Sequence, residues 1–258
     1  MSGVQSIPFE LLSPFEQQRE ILELLRLLEP HKASDFRKVR LGNPAGDCGY
    51  VLLDDFKNLS RAFSFGVAND DSWDLAIAQR GIPVEQFDPG VEQAPSNHPL
   101  IHFHRKAVAA QSAEGAVTLQ GLVDQHSRGR NPDLLLNCDI EGGEWNVFDA
   151  APAESFGKFT QIICEFHGLK NLSNPAFFPV ARRVFTKLHA HHAVVHVHGN
   201  NFAPIVSSHN IPLPEVIEIT FANRKRYKLA RSRERYPTPL DVPNNPGAPD
   251  IQLGLFVF

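Results

Sequence analysis

Short, nearly continuous apolar runs alternate with longer amphipathic segments along most of the chain, and most of these runs stop at an acidic or glycine-containing loop. Runs over 59–65, 84–87, 100–104, 134–138, 160–164, 193–198 and 216–221 predict strands, with a further one over 253–258. The run Leu134-Leu-Leu-Asn-Cys138 lacks polar alternation, as expected of a strand buried on both faces of a parallel sheet. Between the runs, 72–80, 119–127 and 177–191 show helical spacing. Ahead of them, Pro14 opens a helix to about Leu28, with Ile21, Leu24, Leu25 and Leu28 on one face. That face docks on the core or makes a subunit contact in a homo-oligomer; both remain open. The glycine-rich stretch 42–49 suits a hairpin turn or a close backbone approach to a ligand. Residues 128–132 predict a turn, and the proline-rich 237–249 an extended loop. Alternation of β and α units predicts an α/β fold with a single doubly wound, mostly parallel sheet. An N-terminal helical extension over 1–39 precedes the main domain over 40–258.

Composition narrows the function classes. The 258 residues, 42% hydrophobic, suffice for a full core. A net charge of −4 argues against nucleic acid as a partner. The basic group Arg224 to Lys228 with Arg231, Arg233 and Arg235 suits a solvated strand end and loop. No basic region followed by an apolar stretch opens the chain, and no run approaches bilayer length. The three cysteines form no CxxC pair. Cys138 and Cys164 suit small buried hydrophobes, so a reduced, cytoplasmic protein is expected.

Candidate chemistry collects where the runs end. In open parallel sheets, ligands sit beyond the carboxyl ends of the strands. There the chain places Gly66, Asp88, Asp139 with Glu141, Glu165 with His167, and His198. Asp88 lies where a ribose-binding acid is expected after a first strand–loop–helix unit. Glu144 suits a helix start. Of the 12 histidines, His189, His191 and His192 suit a helix surface, and His102, His104 and His196 strand packing. Asn200 and Asn201 serve a turn or orient substrate hydroxyls. Asp139, Glu165 and His198 offer an oxygen-rich donor set suited to Mg²⁺ or Mn²⁺.

The segments Phe63-Ser-Phe-Gly66-Val-Ala-Asn-Asp, Gln86-Phe-Asp88, Asn137-Cys-Asp139-Ile-Glu-Gly-Gly-Glu144 and Cys164-Glu165-Phe-His167 resemble class I S-adenosylmethionine-dependent methyltransferases, the FkbM-like branch in particular. One glycine stands where that family carries GxGxG. The resemblance spans about 40–258 and implies a Rossmann-like methyltransferase fold with S-adenosyl-L-methionine as cofactor. It places Gly66 at the methionine part, Asp88 at the ribose and Asp139 beside them. The activity implied is methyl transfer to a hydroxyl of a sugar or glycan. Such a hydroxyl is a poor nucleophile, so a base is expected at His167 or Glu141, with a divalent metal at Asp139, Glu165 and His198. Two other readings stay open: an NAD(P)-dependent oxidoreductase, which lacks its GxGxxG here, and a non-catalytic carbohydrate-binding protein.

Overall fold

The computed structural model describes residues 7–127 and 133–258, and the sequence-predicted turn at 128–132 lies outside them. The central sheet has seven strands: β1 Arg61–Phe65, β2 Val84–Phe87, β3 Ile101–His104, β4 Leu134–Cys138, β5 Phe159–His167, β6 His192–Gly199 and β7 Val216–Asn223. Their order is β6-β7-β5-β4-β1-β2-β3. Only β7 runs antiparallel to its neighbours. The chain winds outward from β1 to β3, then returns to β1's other side as β4, which leaves a crevice at their carboxyl ends. This is a doubly wound, mostly parallel α/β sheet, consistent with the Rossmann-like methyltransferase fold.

Strand periodicity gives the two faces different chemistry. On one, Phe63, Phe65, Leu134, Leu136, Ile162, Cys164, Phe166, Ile217 and Ile219 join one apolar cluster. That cluster also takes in α1 (Pro14–Leu25), α3 (Leu119–His126), α4 (Glu144–Ala150), α5 (Ala153–Phe156) and α6 (Phe178–His191). The apolar face of α1 therefore docks on the core: Ile21 and Leu25 are fully buried. A capping box between Ser13 and Glu16 starts that helix, with Pro14 in its first turn. The opposite face is covered by α2 (Ser72–Ala78) and by a hairpin of Lys38–Gly42 with Gly49–Leu53. Gln161 of β5 exchanges hydrogen bonds with Leu53 of the hairpin, and Thr220 of β7 donates to Val51 O. No helix among the described residues is long and apolar enough to cross a membrane.

Three expectations change. β5 and β6 run past the predicted ends, so Glu165 and His167 lie within β5 rather than beyond it, while His198 lies within β6 as the predicted run had it. The cause is β7, inserted between β5 and β6, which pairs with both up to His167 and Gly199. His192 is no surface residue; it starts β6 fully buried, its Nε2 3.0 Å from Phe159 O, and burial pushes its pKa down to about 3. No strand forms over 253–258, because Gly254 and Phe256 adopt positive φ and turn the backbone.

Gly66 shows how tightly β1 and β4 meet. Its φ is +78°, and an added Cβ would lie 1.7 Å from Asp139 O. Gly66→Ala should therefore cost at least about 2 kcal/mol from strain and overpacking. Urea denaturation measures it; an unchanged midpoint would refute the close approach. Asp74 on α2 is buried, with Oδ1 lacking a hydrogen-bond partner. Burial pushes its pKa up to about 7, with Asp71 adding and hydrogen bonds from Ser64 and Gln86 opposing. A raised folded pKa favours the protonated fold, so this contribution is lost as pH rises through about 7. Asp74→Asn should then melt higher than wild type at pH 8, by a few kcal/mol at most, at about 1.4 kcal/mol per pH unit separating folded from unfolded pKa. The advantage should vanish between pH 7 and pH 4 in thermal melts; a pH-independent difference would contradict the buried acid.

Candidate active site

The carboxyl ends of β1, β2 and β4 wall a cavity of about 350 Å³, within the usual range for small-molecule sites. Gly66, Val67 and Ala68 form one edge, Phe87 and Asp88 a second, and Asn137, Asp139 and Glu141 a third. Asp88 Oδ2 accepts from the N–H groups of Val67 (2.9 Å) and Ala68 (3.0 Å), and Oδ1 accepts from Gly90 (2.7 Å). Partial burial opposes its charge, but these donors outweigh burial and hold the carboxyl below its ordinary range. Asp88 thus fastens the β1 loop to the β2 end while bordering the cavity. Asn137 Oδ1 and Asp74 Oδ1 are buried acceptors without partners, and both residues line the cavity.

The turn after β4 carries the next layer. Glu141 adopts φ 54° and Gly142 φ 96°, which reverses the chain before α4. A bulky residue in that region is strained, a feature often found at functional sites. Glu144, the first residue of α4, is fully buried. Its Oε2 accepts from Gly142 N (2.9 Å), and its Oε1 accepts from His167 N (2.7 Å) and lies 3.2 Å from His167 Nδ1. Trp145 Nε1 donates to His167 O at 2.7 Å. The ring of His167 is held from its Nδ1 side, while Nε2 faces Glu141 (3.4 Å), Glu165 (3.6 Å) and Asp139 (3.9 Å). Burial works against its charge, but Glu144, Asp139 and Glu141 outweigh it, so the pKa is raised. Asp139 has its pKa pushed up to about 7, by burial first and then by Glu141, Asp47 and Glu218, against His167.

Glu165, Glu218 and His198 form a row across β5, β7 and β6, since Glu165 pairs with Glu218 and Glu218 with His198. His198 has a carboxylate at each ring nitrogen: Glu218 Oε2 at 3.0 Å from Nδ1 and Asp250 Oδ1 at 3.1 Å from Nε2. Burial disfavours its charge, yet Asp250 and Glu218 push its pKa up to about 10. Glu165 Oε1 accepts from Asn200 Nδ2 at 2.8 Å. Burial, then Asp139, Glu218 and Asp47, raise the Glu165 pKa well above the carboxylate range.

The structure thus brings Gly66, Asp88, Asp139 and Glu141 to one cavity, and Asp139, Glu141, Glu165 and His167 to one imidazole. It does not gather the expected donor set Asp139, Glu165 and His198. The acid and imidazole groups that converge within 4.8 Å among the described residues are Asp139–Glu141–His167 and Asp47–Glu165–Glu218. As an imidazolium between two carboxylates, His198 has no lone pair to offer a metal. Sequence patterns missed Glu144, whose place at a helix start gave no hint of the His167 contact. Glu218, Asn244 and Asp250 were missed too, since they approach only through tertiary contacts, whereas Asp47 lies in the glycine-rich stretch for which a close approach to a ligand was one expectation.

No protein-family model matches the chain. Over 141 residues it is 29% identical to Probable methyltransferase-like protein 24 of Homo sapiens, covering 45% of this chain and 37% of that protein. Among solved structures, a Listeria monocytogenes protein assigned as an S-adenosylmethionine-dependent methyltransferase overlaps 66% of this chain and 93% of its own, at TM-score 0.37 and 8% identity. A 16S rRNA (adenine(1408)-N(1))-methyltransferase variant from Catenulisporales acidiphilia overlaps 72% and 98%, at TM-score 0.31 and 13% identity. Such distant structural overlaps carry no functional argument. The chain is similar in sequence to a methyltransferase-like protein and spans just over a third of its length.

Proposed function

We propose that the protein is an S-adenosylmethionine-dependent O-methyltransferase acting on a hydroxyl of a sugar or glycan, with help from a divalent metal. The observation that carries this is a cavity at the β1/β4 switch point that shares Asp139 and Glu141 with the His167 cluster. The cofactor fits its chemistry. Phe87 and Val108 offer apolar wall beside Asp88 for the adenosine end. Asp88 has lone pairs left for ribose hydroxyls after its three backbone donors. The orphaned oxygens of Asn137 and Asp74 suit the ammonium of the methionine end. Bound there, the cofactor supplies a sulfonium methyl for in-line displacement.

The rest falls to the chain's own residues. His167 Nε2 has no hydrogen bond shorter than its carboxylate contacts at 3.4 Å and beyond, so it can receive the hydroxyl proton. Glu144 fixes the ring and stabilises the imidazolium that results. Glu141, exposed and adjacent, can pass that proton to solvent. A hard cation such as Mg²⁺ or Mn²⁺ suits the carboxylates around Asp139 and Glu165, and would lower the hydroxyl pKa. His198 supports that region by balancing Glu218.

Calorimetry should show S-adenosylhomocysteine binding that weakens at least tenfold in Asp88→Ala. Transfer of labelled methyl to arrayed glycans should fall about a hundredfold or more in His167→Gln, with S-adenosylhomocysteine affinity unchanged. The absence of S-adenosylhomocysteine binding by the intact protein would overturn the assignment. Full transfer by His167→Gln would remove that residue as the base.

A further inference from the structure

Outside the cofactor cavity, the most unusual feature is a set of carboxylates buried beneath the hairpin. Glu165 and Glu218 are directly opposed on β5 and β7, 4% and 6% exposed. Like charges in opposed strand positions repel, more so away from water. Asp47, on the hairpin turn, brings a third carboxylate, and one oxygen from each of the three lies within 4.8 Å of the others.

Protein groups balance this only in part. His198 pairs with Glu218 but is shared with Asp250. His167 stands 3.6 Å from Glu165 but is shared with Glu141, Glu144 and Asp139. Asn244, neutral and buried, donates from Nδ2 to Asp47 Oδ1 (2.9 Å) and Glu218 Oε1 (2.5 Å). Asn200 takes only Glu165 Oε1. Glu165 Oε2 is buried without any hydrogen-bond partner, and so is Asn244 Oδ1. A buried carboxylate oxygen with no donor, in a cluster of like charge, calls for a cation.

We propose that Asp47, Glu165 and Glu218 bind one hard divalent cation of the Mg²⁺ or Mn²⁺ type. Three carboxylates without sulfur or imidazole donors favour such a cation over Zn²⁺, and water can complete its shell. The ion neutralises the Glu165–Glu218 opposition and ties the hairpin turn to β5 and β7. Its role in turnover rests on the methyltransferase assignment, because Glu165 joins the site to His167; its binding does not. Asp139–Glu141–His167 is the competing location, with one exposed and two partly exposed groups.

The test uses the full chain stripped with chelator, without cofactor or acceptor, titrated with Mn²⁺ while the electron paramagnetic resonance signal of unbound Mn²⁺ is followed. One Mn²⁺ per chain is expected, with a rise in melting temperature. Asp47→Asn and Glu218→Gln should each weaken binding at least tenfold, and Glu141→Gln should leave it unchanged. Asp47→Asn, on a half-buried turn, carries the test if Glu218→Gln does not fold. No Mn²⁺ binding at millimolar concentration would overturn the proposal, as would loss in Glu141→Gln but not in Asp47→Asn. Calorimetry with S-adenosylhomocysteine on the same stripped protein separates the two claims. Cofactor binding without Mn²⁺ binding refutes only the cation site; Mn²⁺ binding without cofactor binding refutes only the methyltransferase.

Discussion

Glu165 and Glu218 stand side by side on neighbouring strands with almost no access to water, and much of the surrounding structure answers that constraint. One face of the sheet is apolar over its central strands, but the other turns polar toward its carboxyl end, with Ser64 paired with Asn137 on β1 and β4, and Glu165, Glu218 and His198 in register across β5, β7 and β6. An apolar helix laid over that half would leave each of these groups unpaired, at a cost of about 1–3 kcal/mol apiece. The chain covers it with the hairpin and with the C-terminal segment. Asn244 and Asp250 reach Glu218 and His198, while Asp241 holds His196 at 2.7 Å. Asn201 fastens the same segment through the backbone at 245, 248 and 249. The proline-rich loop is thus a polar cover for a charged sheet face.

The cavity at the ends of β1, β2 and β4 arises from a different constraint. β4 re-enters the sheet beside β1, where Asp139 N donates to Phe65 O and Gly66 N to Phe87 O. Three strand ends are thereby held within a few ångströms of one another. Only glycine leaves room at position 66, so the cleft floor is backbone rather than side chain. Asp88 then pins the loop above it. The same contacts that stabilise the crossing define the shape of the cavity.

His167 joins these two regions. Its backbone belongs to the last rung of β5 against β7, its Nδ1 to Glu144 of α4, and its Nε2 to the carboxylates of both the cleft and the buried row. Position and orientation of this ring are therefore set by a sheet, a helix start and a strained turn together. Four acidic groups around one imidazole favour its charged form, which makes the ring a stronger base than a free imidazole whenever it is neutral.

Much of this was legible along the chain. The apolar runs located all seven strands of the central sheet: the inner ones because a strand buried on both faces has to be apolar whatever its neighbours are, the half-buried edge strand β3 by its alternating Ile101 and Phe103. Gly66, Asp88 and Asp139 could be placed at the cleft for a similar local reason: they follow the runs that end there. What the sequence left open depended on strand pairing. Nothing local announces that 216–223 inserts antiparallel between β5 and β6, lengthens both, and sets Glu218 against Glu165 and His198. Glu144 read as a helix start and is one, yet its carboxylate is spent on His167, 23 residues away. His198 read as a metal ligand until Asp250 and Glu218 took both its nitrogens. Burial and periodicity are properties of a segment and show in its residues; the partner of a buried charge is a property of the packed chain, decided only when distant segments exclude water from the same few ångströms.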